Sequence, residues 1–373
     1  MKNRTWVEIS KSAIKKNIDG YSKLLPEETS IMAVIKANAY GHGLQLVSDV
    51  AIDSGIDELA VFTMEDAMKI RETHKDTPIL VLNQIGIDEL DMAVKYNIDI
   101  TVASIEILKE VVKYKKVKDL MINLKVDTGL SREGFQLFEM ENVIKILESN
   151  EHVNITALYT HLIGAENKKF DTYTQKQINE INTWQDELNA IGYYPLVHIS
   201  ATAGFIMDST MSYDCVRMGI GLYGLWPSDE VRKYAKNKLK LTPALSWKTT
   251  VNQIKKIKKG DVIGYNATFV APKDMSIAIL PVGYWDGIPV SLSGKGYMLA
   301  GGVKCSVLGR IMMNMCVIDI SDTKGVKQGS EVIIIGSQKK AIITADELAE
   351  IACTINYEIV TRINPLIPRI AIK

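Results

Sequence analysis

The 373-residue chain carries little that would suit a disulfide scaffold or a metal centre. Its four cysteines, Cys215, Cys305, Cys316 and Cys353, stand far apart without a C-x-x-C pair, and its five histidines show no H-E-x-x-H spacing. That usage suits a reducing compartment and argues for no metal. Neither sign of charge is in excess: 44 Lys+Arg balance 44 Asp+Glu, so nothing favours a nucleic-acid or anionic-membrane partner. The run Lys255-Lys256-Ile257-Lys258-Lys259 ends in Gly260-Asp261 and reads as a solvated turn. There is no apolar segment at the amino terminus and no uncharged apolar stretch of about 18 residues, which excludes a signal peptide or membrane span within the chain. Internal repeats and low-complexity tracts are also missing.

What is present is globular: 47% apolar and 24% charged residues, in a chain too long for one ordinary core. Thr5–Ile9 alternates like a strand, and Ser10 or Ser12 caps a helical pattern over 13–25. Eight apolar runs then recur between amphipathic segments, at 30–36, 59–63, 78–82, 98–103, 120–126, 155–161, 196–199 and 215–222. The helical patterns cover 65–71, 88–96, 105–114, 142–148 and 173–191. Eight strand-then-helix units over about 210 residues fit a (β/α)8 TIM-like barrel, with a doubly wound open sheet as the alternative. After about Pro243 short β-rich runs take over, at 246–254, 261–264, 276–281, 304–308, 316–320 and 331–335, and only 345–353 reads as a helix. The expected architecture is therefore a barrel over 11–240 followed by a mainly β C-terminal domain over 241–373, joined by the N-terminal strand 1–10.

The chain is organised around Ile31-Met32-Ala33-Val34-Ile35-Lys36, an apolar run ending in one lysine before Ala37-Asn38-Ala39-Tyr40-Gly41-His42-Gly43. Lys36 falls at the carboxyl end of a buried strand, where such folds hold their reactive groups. A desolvated lysine has a depressed pKa and a free amine for Schiff-base chemistry. This stretch alone also fits a lysine that caps the strand and reaches water. The other strand ends bring Lys125, Asp127 and Arg132, then His161, then Thr202 and Gly204, then Arg217 and Gly219. A set of cations at these points suits an anionic cofactor.

With these residues in order, the chain resembles the alanine racemase family of fold type III pyridoxal-phosphate enzymes over essentially its whole length. The resemblance rests on Ala33–Gly43, on Lys125-Val126-Asp127-Thr128-Gly129 with Arg132, on Thr160-His161, and on Val216-Arg217-Met218-Gly219-Ile220. It continues through Gly264-Tyr265, Gly283-Tyr284-Trp285-Asp286-Gly287, Gly309-Arg310-Ile311-Met312-Met313 and Ile367-Pro368-Arg369.

The resemblance implies a pyridoxal 5'-phosphate enzyme acting on a small amino acid, as a homodimer whose active site is shared between subunits. Lys36 would hold the cofactor and act as one base, and Tyr265 from the partner subunit as the second, its phenolate stabilised by His161 and Arg217 as cationic neighbours. Arg217 would face the cofactor's ring nitrogen. Tyr40, Thr202 and backbone N–H groups near Gly204, Gly219 and Ile220 would hold the phosphate. Arg132 would reach the substrate carboxylate, oriented by Lys125, and the resemblance makes Lys125 a candidate for carbamylation. Met313 and Tyr284 match positions lining the site's mouth, although 312–315 also fits β-domain core.

Two departures stand out. The family usually has tyrosine four residues before the final arginine, where this chain has Asn364 or Pro365, and Asn314 replaces a common aspartate. A smaller polar side chain at 364 would admit and hydrogen-bond a serine hydroxymethyl group. The expectation is therefore a racemase of L- and D-serine and, secondarily, alanine. It would supply D-amino acids for cell-wall precursors, as the catalytic part of the serine/alanine racemases of vancomycin-resistant bacteria does, where that part follows a membrane domain. The location implied is cytoplasmic, either alone or as part of a longer membrane-anchored protein. An ordinary alanine racemase, a non-enzymatic pyridoxal-phosphate carrier and a fold type III decarboxylase are the competing readings.

Overall fold

The structure, a computed structural model, describes residues 4–373. Near-continuous apolar runs make strands buried on both faces, and eight of them form one parallel sheet. They are Ser30–Val34, Glu58–Val61, Ile79–Gln84, Asp99–Val102, Ile122–Lys125, Ile155–Tyr159, Leu196–His198 and Cys215–Met218. Each pairs with its neighbour in sequence from first to seventh, and the eighth returns beside the first with Ser30 opposite Cys215. Between the seventh and eighth an isolated parallel bridge, Ala201 to Arg217, nearly completes the circle. The barrel reading holds, and the open-sheet alternative falls because the first and eighth strands are hydrogen-bonded neighbours.

Local chemistry sets the intervening helices. Thr63 caps Met64–Thr73 by accepting from the Asp66 N–H, and Ser104 caps Ile105–Val111 by accepting from the Ile107 N–H. Among the helices of the expected set, 88–96 divides into a 3-10 turn, Ile87–Glu89, and a helix, Leu90–Tyr96. This unit comprises Ala13–Ala39 and Leu44–Thr242.

The second unit comprises the chain up to Ser12, Tyr40–Gly43 and Pro243–Lys373. Its main sheet includes Thr5–Ser10, which runs antiparallel to Leu245–Thr250 and parallel to Arg369–Ile372. The expected strand 246–254 is two strands, Leu245–Thr250 and Gln253–Ile257, which pair with different partners. A second helix, Asn356–Thr361, follows Ala345–Ala352; at six residues it is too short to show a period in the sequence. Ile263, Ala271, Met275, Ile277, Leu308 and Val317 form a core cluster in this unit. Among the described residues no helix is long and apolar enough to cross a membrane.

Candidate active site

The first barrel strand stops at Val34, two residues earlier than the apolar run suggests, and Lys36 opens the turn that follows Ile35. Ala37, Asn38, Ala39 and Tyr40 then follow with φ between 51° and 54°, a left-handed helical turn built without glycine. That hand costs an L-residue about 1–2 kcal/mol, so surrounding contacts must hold it. One is visible: the Asn38 Oδ1 accepts the Leu44 N–H at 2.9 Å. Within the β-rich unit, the Arg369 Nε donates to the Gly41 carbonyl at 3.0 Å, and a Cβ on Gly41 would lie 2.1 Å from the Val360 oxygen, so only glycine fits there. Burial lowers the Lys36 pKa, and the charges of Arg132, Lys125 and Arg217 lower it further against an opposing pull from Glu133. The free amine is thereby brought toward neutral pH.

Arg217, on the eighth strand, is 4% exposed. Its guanidinium donates to the carbonyls of His198, Thr160 and Ile199 at 2.6, 2.7 and 3.0 Å. Two imidazoles complete the set, His198 Nδ1 at 2.7 Å and His161 Nδ1 at 3.3 Å. An arginine can only donate, so both nitrogens facing it are unprotonated acceptors. Burial and then the Arg217 charge hold His198 well below the ordinary histidine range. Burial, followed by Arg217, Arg132, Lys36 and Lys125, pushes His161 down to about 3. Where the sequence reading has His161 as a cationic neighbour, burial first and then four nearby cations favour its neutral imidazole.

The Lys125 ammonium pairs with the Glu133 Oε2 at 2.9 Å, while Arg132 acts on it as a repelling charge. The turn that carries Arg132 is organised instead by Asp127, which accepts from the N–H groups of Gly129, Ser131 and Arg132 at 3.0, 3.1 and 3.0 Å.

Thr202 opens the helix Thr202–Met207 and accepts the Gly219 N–H at 3.0 Å, which leaves its hydroxyl proton to donate. The Gly204 N–H goes to the Ala201 carbonyl at 3.1 Å. Gly204 and Gly219 therefore give space and order rather than free donors. A Cβ on Gly204 would lie 2.6 Å from the Ser200 Oγ, and one on Gly221 would lie 2.1 Å from the Tyr21 hydroxyl oxygen. The start of the turn Ile220–Tyr223 supplies an N–H without a partner in its own turn. A hydroxyl, an N–H and nearby cations suit a phosphate, and a desolvated amine suits an aldehyde, so this donor set fits pyridoxal phosphate. Tyr40, whose pKa burial raises to about 12, is a neutral donor.

In the β-rich unit, Tyr265 is 70% exposed on the turn Tyr265–Ala267. The structure brings Tyr284, Met313 and Asn364 together: Tyr284 and Trp285 donate their N–H groups to the Met312 and Met313 carbonyls at 3.0 and 2.9 Å, and the Asn364 side chain donates to the Trp285 carbonyl at 3.0 Å. The Asn364 Oδ1 accepts the Leu366 N–H at 2.9 Å, so this amide braces its own loop. Met312 packs against the core cluster, whereas Met313 and Met315 are exposed. Asn314 is exposed as well. The sequence reading missed His198, Asn123, Tyr159 and Glu133, which surround Arg217 and Lys125. Strand alternation offered a signal, since His198 and Asn123 lie within the barrel strands. No group of His, Cys, Asp and Glu among the described residues could hold a metal ion.

Residues 9–227 match the family model described as alanine racemase, N-terminal domain, and residues 244–371 match alanine racemase, C-terminal domain. Among curated proteins, alanine racemase 2 of Bacillus subtilis is 35% identical over 99% of this chain and 94% of its own. The alanine racemase of Methanococcus maripaludis is 36% identical over 98% of both. Among solved structures, the alanine racemase of Bacillus anthracis with bound L-Ala-P superposes with a TM-score of 0.93 at 32% identity, covering 100% of this chain and 96% of its own. The histidine racemase of Leuconostoc mesenteroides superposes with a TM-score of 0.88 at 28% identity, covering 100% and 98%.

Proposed function

The chain belongs to the alanine racemase family, whose members depend on pyridoxal phosphate, and we propose that it interconverts L- and D-alanine, supplying the D-isomer for cell-wall precursors. One observation carries this reading most directly: Lys36 stands at a barrel strand end with its amine held toward the neutral form by burial and three cations. When bound, the cofactor withdraws electrons from the substrate Cα and so acidifies its hydrogen.

The chain's own residues do the rest. Lys36 takes or returns the Cα proton on one face, and the partner subunit's Tyr265 does so on the other. This makes the working unit a homodimer. Arg132 binds the substrate carboxylate, and Thr202, Tyr40 and the Ile220 N–H hold the phosphate. Arg217 keeps its proton, so it presents a donor to the ring nitrogen without transferring anything to it. That arrangement limits how long negative charge can rest on the ring and favours return of the proton to Cα.

Alanine is favoured over serine because the Asn364 amide, which was expected to greet a substrate hydroxyl, bonds to Trp285 and Leu366. Chiral analysis of products from L-alanine and L-serine in deuterated water tests the whole reading. Exchange at Cα with inversion and without carbon dioxide release is expected, faster for alanine. Carbon dioxide release would indicate a decarboxylase, and no turnover a cofactor carrier. If serine has the higher kcat/KM, and Asn364→Tyr reverses the order, the serine reading replaces this one.

A further inference from the structure

The interior of the barrel departs from the branched apolar layers usual for this architecture. Beneath Arg217 runs a continuous polar chain. The Arg217 Nη1 donates to His198 Nδ1 at 2.7 Å. His198 Nε2 lies 3.3 Å from the Asn123 Oδ1, and the Asn123 Nδ2 lies 3.3 Å from the Asp99 Oδ2. The Asn123 Nδ2 also donates to the Thr156 Oγ1 at 3.1 Å, and that hydroxyl donates onward to the Ile122 carbonyl at 3.2 Å. Asp99 opens the fourth barrel strand, Asn123 is on the fifth, His198 ends the seventh and Arg217 is on the eighth.

The chain has one direction only. Because Arg217 cannot accept, His198 Nδ1 is bare while it faces the guanidinium, and the imidazole proton then sits on Nε2. That proton needs an acceptor, which fixes the Asn123 oxygen toward His198 and its NH2 toward Asp99 and Thr156. A carboxylate, which accepts only, closes the sequence. Burial raises the Asp99 pKa to about 6, against the Asn123 amide and Arg71, which favour its ionised form, and Glu58 is the neighbouring acid. The ring of Tyr159 stacks on His198 with centroids 4.7 Å apart and interplanar angle 9°, and the Tyr159 hydroxyl is hydrogen-bonded to the Thr101 Oγ1 at 2.8 Å.

We propose that Asn123 and Asp99 are positioning residues for the racemase: they hold His198 in its Nε2–H tautomer, and His198 in turn aims the Arg217 guanidinium. The proposal rests on the racemase reading for its kinetic consequence, but its first readout is independent of turnover. Enzyme labelled with 15N-histidine, with and without the cofactor, should show His198 as a pure Nε2–H tautomer in long-range 1H–15N spectra. In Asn123→Leu, which removes the acceptor, an Nδ1–H population should appear, and kcat should fall about tenfold with KM little changed, the size expected for one buried donor left unpaired. A pure Nε2–H signal in that variant overturns the proposal, whatever its rate. Asp99→Asn keeps the shape and an accepting oxygen and so guards against misfolding. It should displace the His198 Nδ1 resonance by removing the charge at the end of the chain, and an undisplaced resonance also overturns the proposal.

Discussion

The Lys125 ammonium lies 2.9 Å from the Glu133 Oε2, and only 7% of the lysine side chain is exposed. This pair stands where the family resemblance made a carbamylated lysine a candidate. A lysine already neutralised by a carboxylate gains little from becoming an anion itself, and two anions at that distance would repel. Wild-type enzyme given 13C-bicarbonate should therefore show no carbamate carbon signal at Lys125. Glu133→Leu should show one, or else lose activity that bicarbonate partly restores. A carbamate signal in the wild type would overturn this assignment.

Removing either proposed proton-handling group should be more severe than removing any other side chain. Lys36→Ala should lose racemisation by about 10³-fold or more and release the cofactor on dialysis, and Tyr265→Phe should lose about 10²- to 10⁴-fold while retaining the cofactor. Steady-state racemisation with absorbance spectra of the dialysed proteins checks both. Full activity in Tyr265→Phe would remove the second base.

Arg71 is a structural rather than a chemical centre. Its buried guanidinium donates to the carbonyls of Tyr96, His74, Lys75, Thr77 and Asn97, all within 2.9 Å. Arg71→Ala leaves these acceptors without their shared donor and should cost about 3 kcal/mol in denaturant unfolding, with kcat/KM of the folded fraction unchanged.

Stability should also fall with rising pH through one carboxyl. Burial, then the charges of Asp99 and Asp57, raise the Glu58 pKa from the ordinary 4.5 to about 8. The folded chain thus keeps a proton that the unfolded chain loses, so the ionisation penalty is absent below 4.5, grows between those two values and is complete above about 8. Glu58→Gln should flatten unfolding free energy over this window and be the more stable protein at its alkaline end. Chemical denaturation at stepped pH tests it.

The barrel was legible because strands such as 98–103 and 120–126 are apolar runs bounded by polar turns, and the strand-end cations Lys36, Arg132 and Arg217 follow from that register. His198, Asn123 and Glu133 were not, because a polar residue inside a barrel carries no local mark of its distant partners. His198 meets Asn123 across 75 positions and Arg217 across 19. The bonding of Asn364 was hidden for a related reason: its bond to Trp285 spans 79 positions, so the sequence gives no sign that this side chain also braces a loop. The turn after Lys36 could be recognised as a turn, but Ala37, Ala39 and Tyr40 have no preference for the hand they adopt.

That reversed hand governs how this enzyme can be re-engineered. A randomised library over positions 37–39 would be filtered by backbone chirality before any question of size or polarity arose: glycine and asparagine would be enriched, and valine, isoleucine and threonine would vanish even at the exposed position 37. Evolution of a new substrate range is thereby steered away from the lysine's own neighbours and onto side chains that enter the site from other strands.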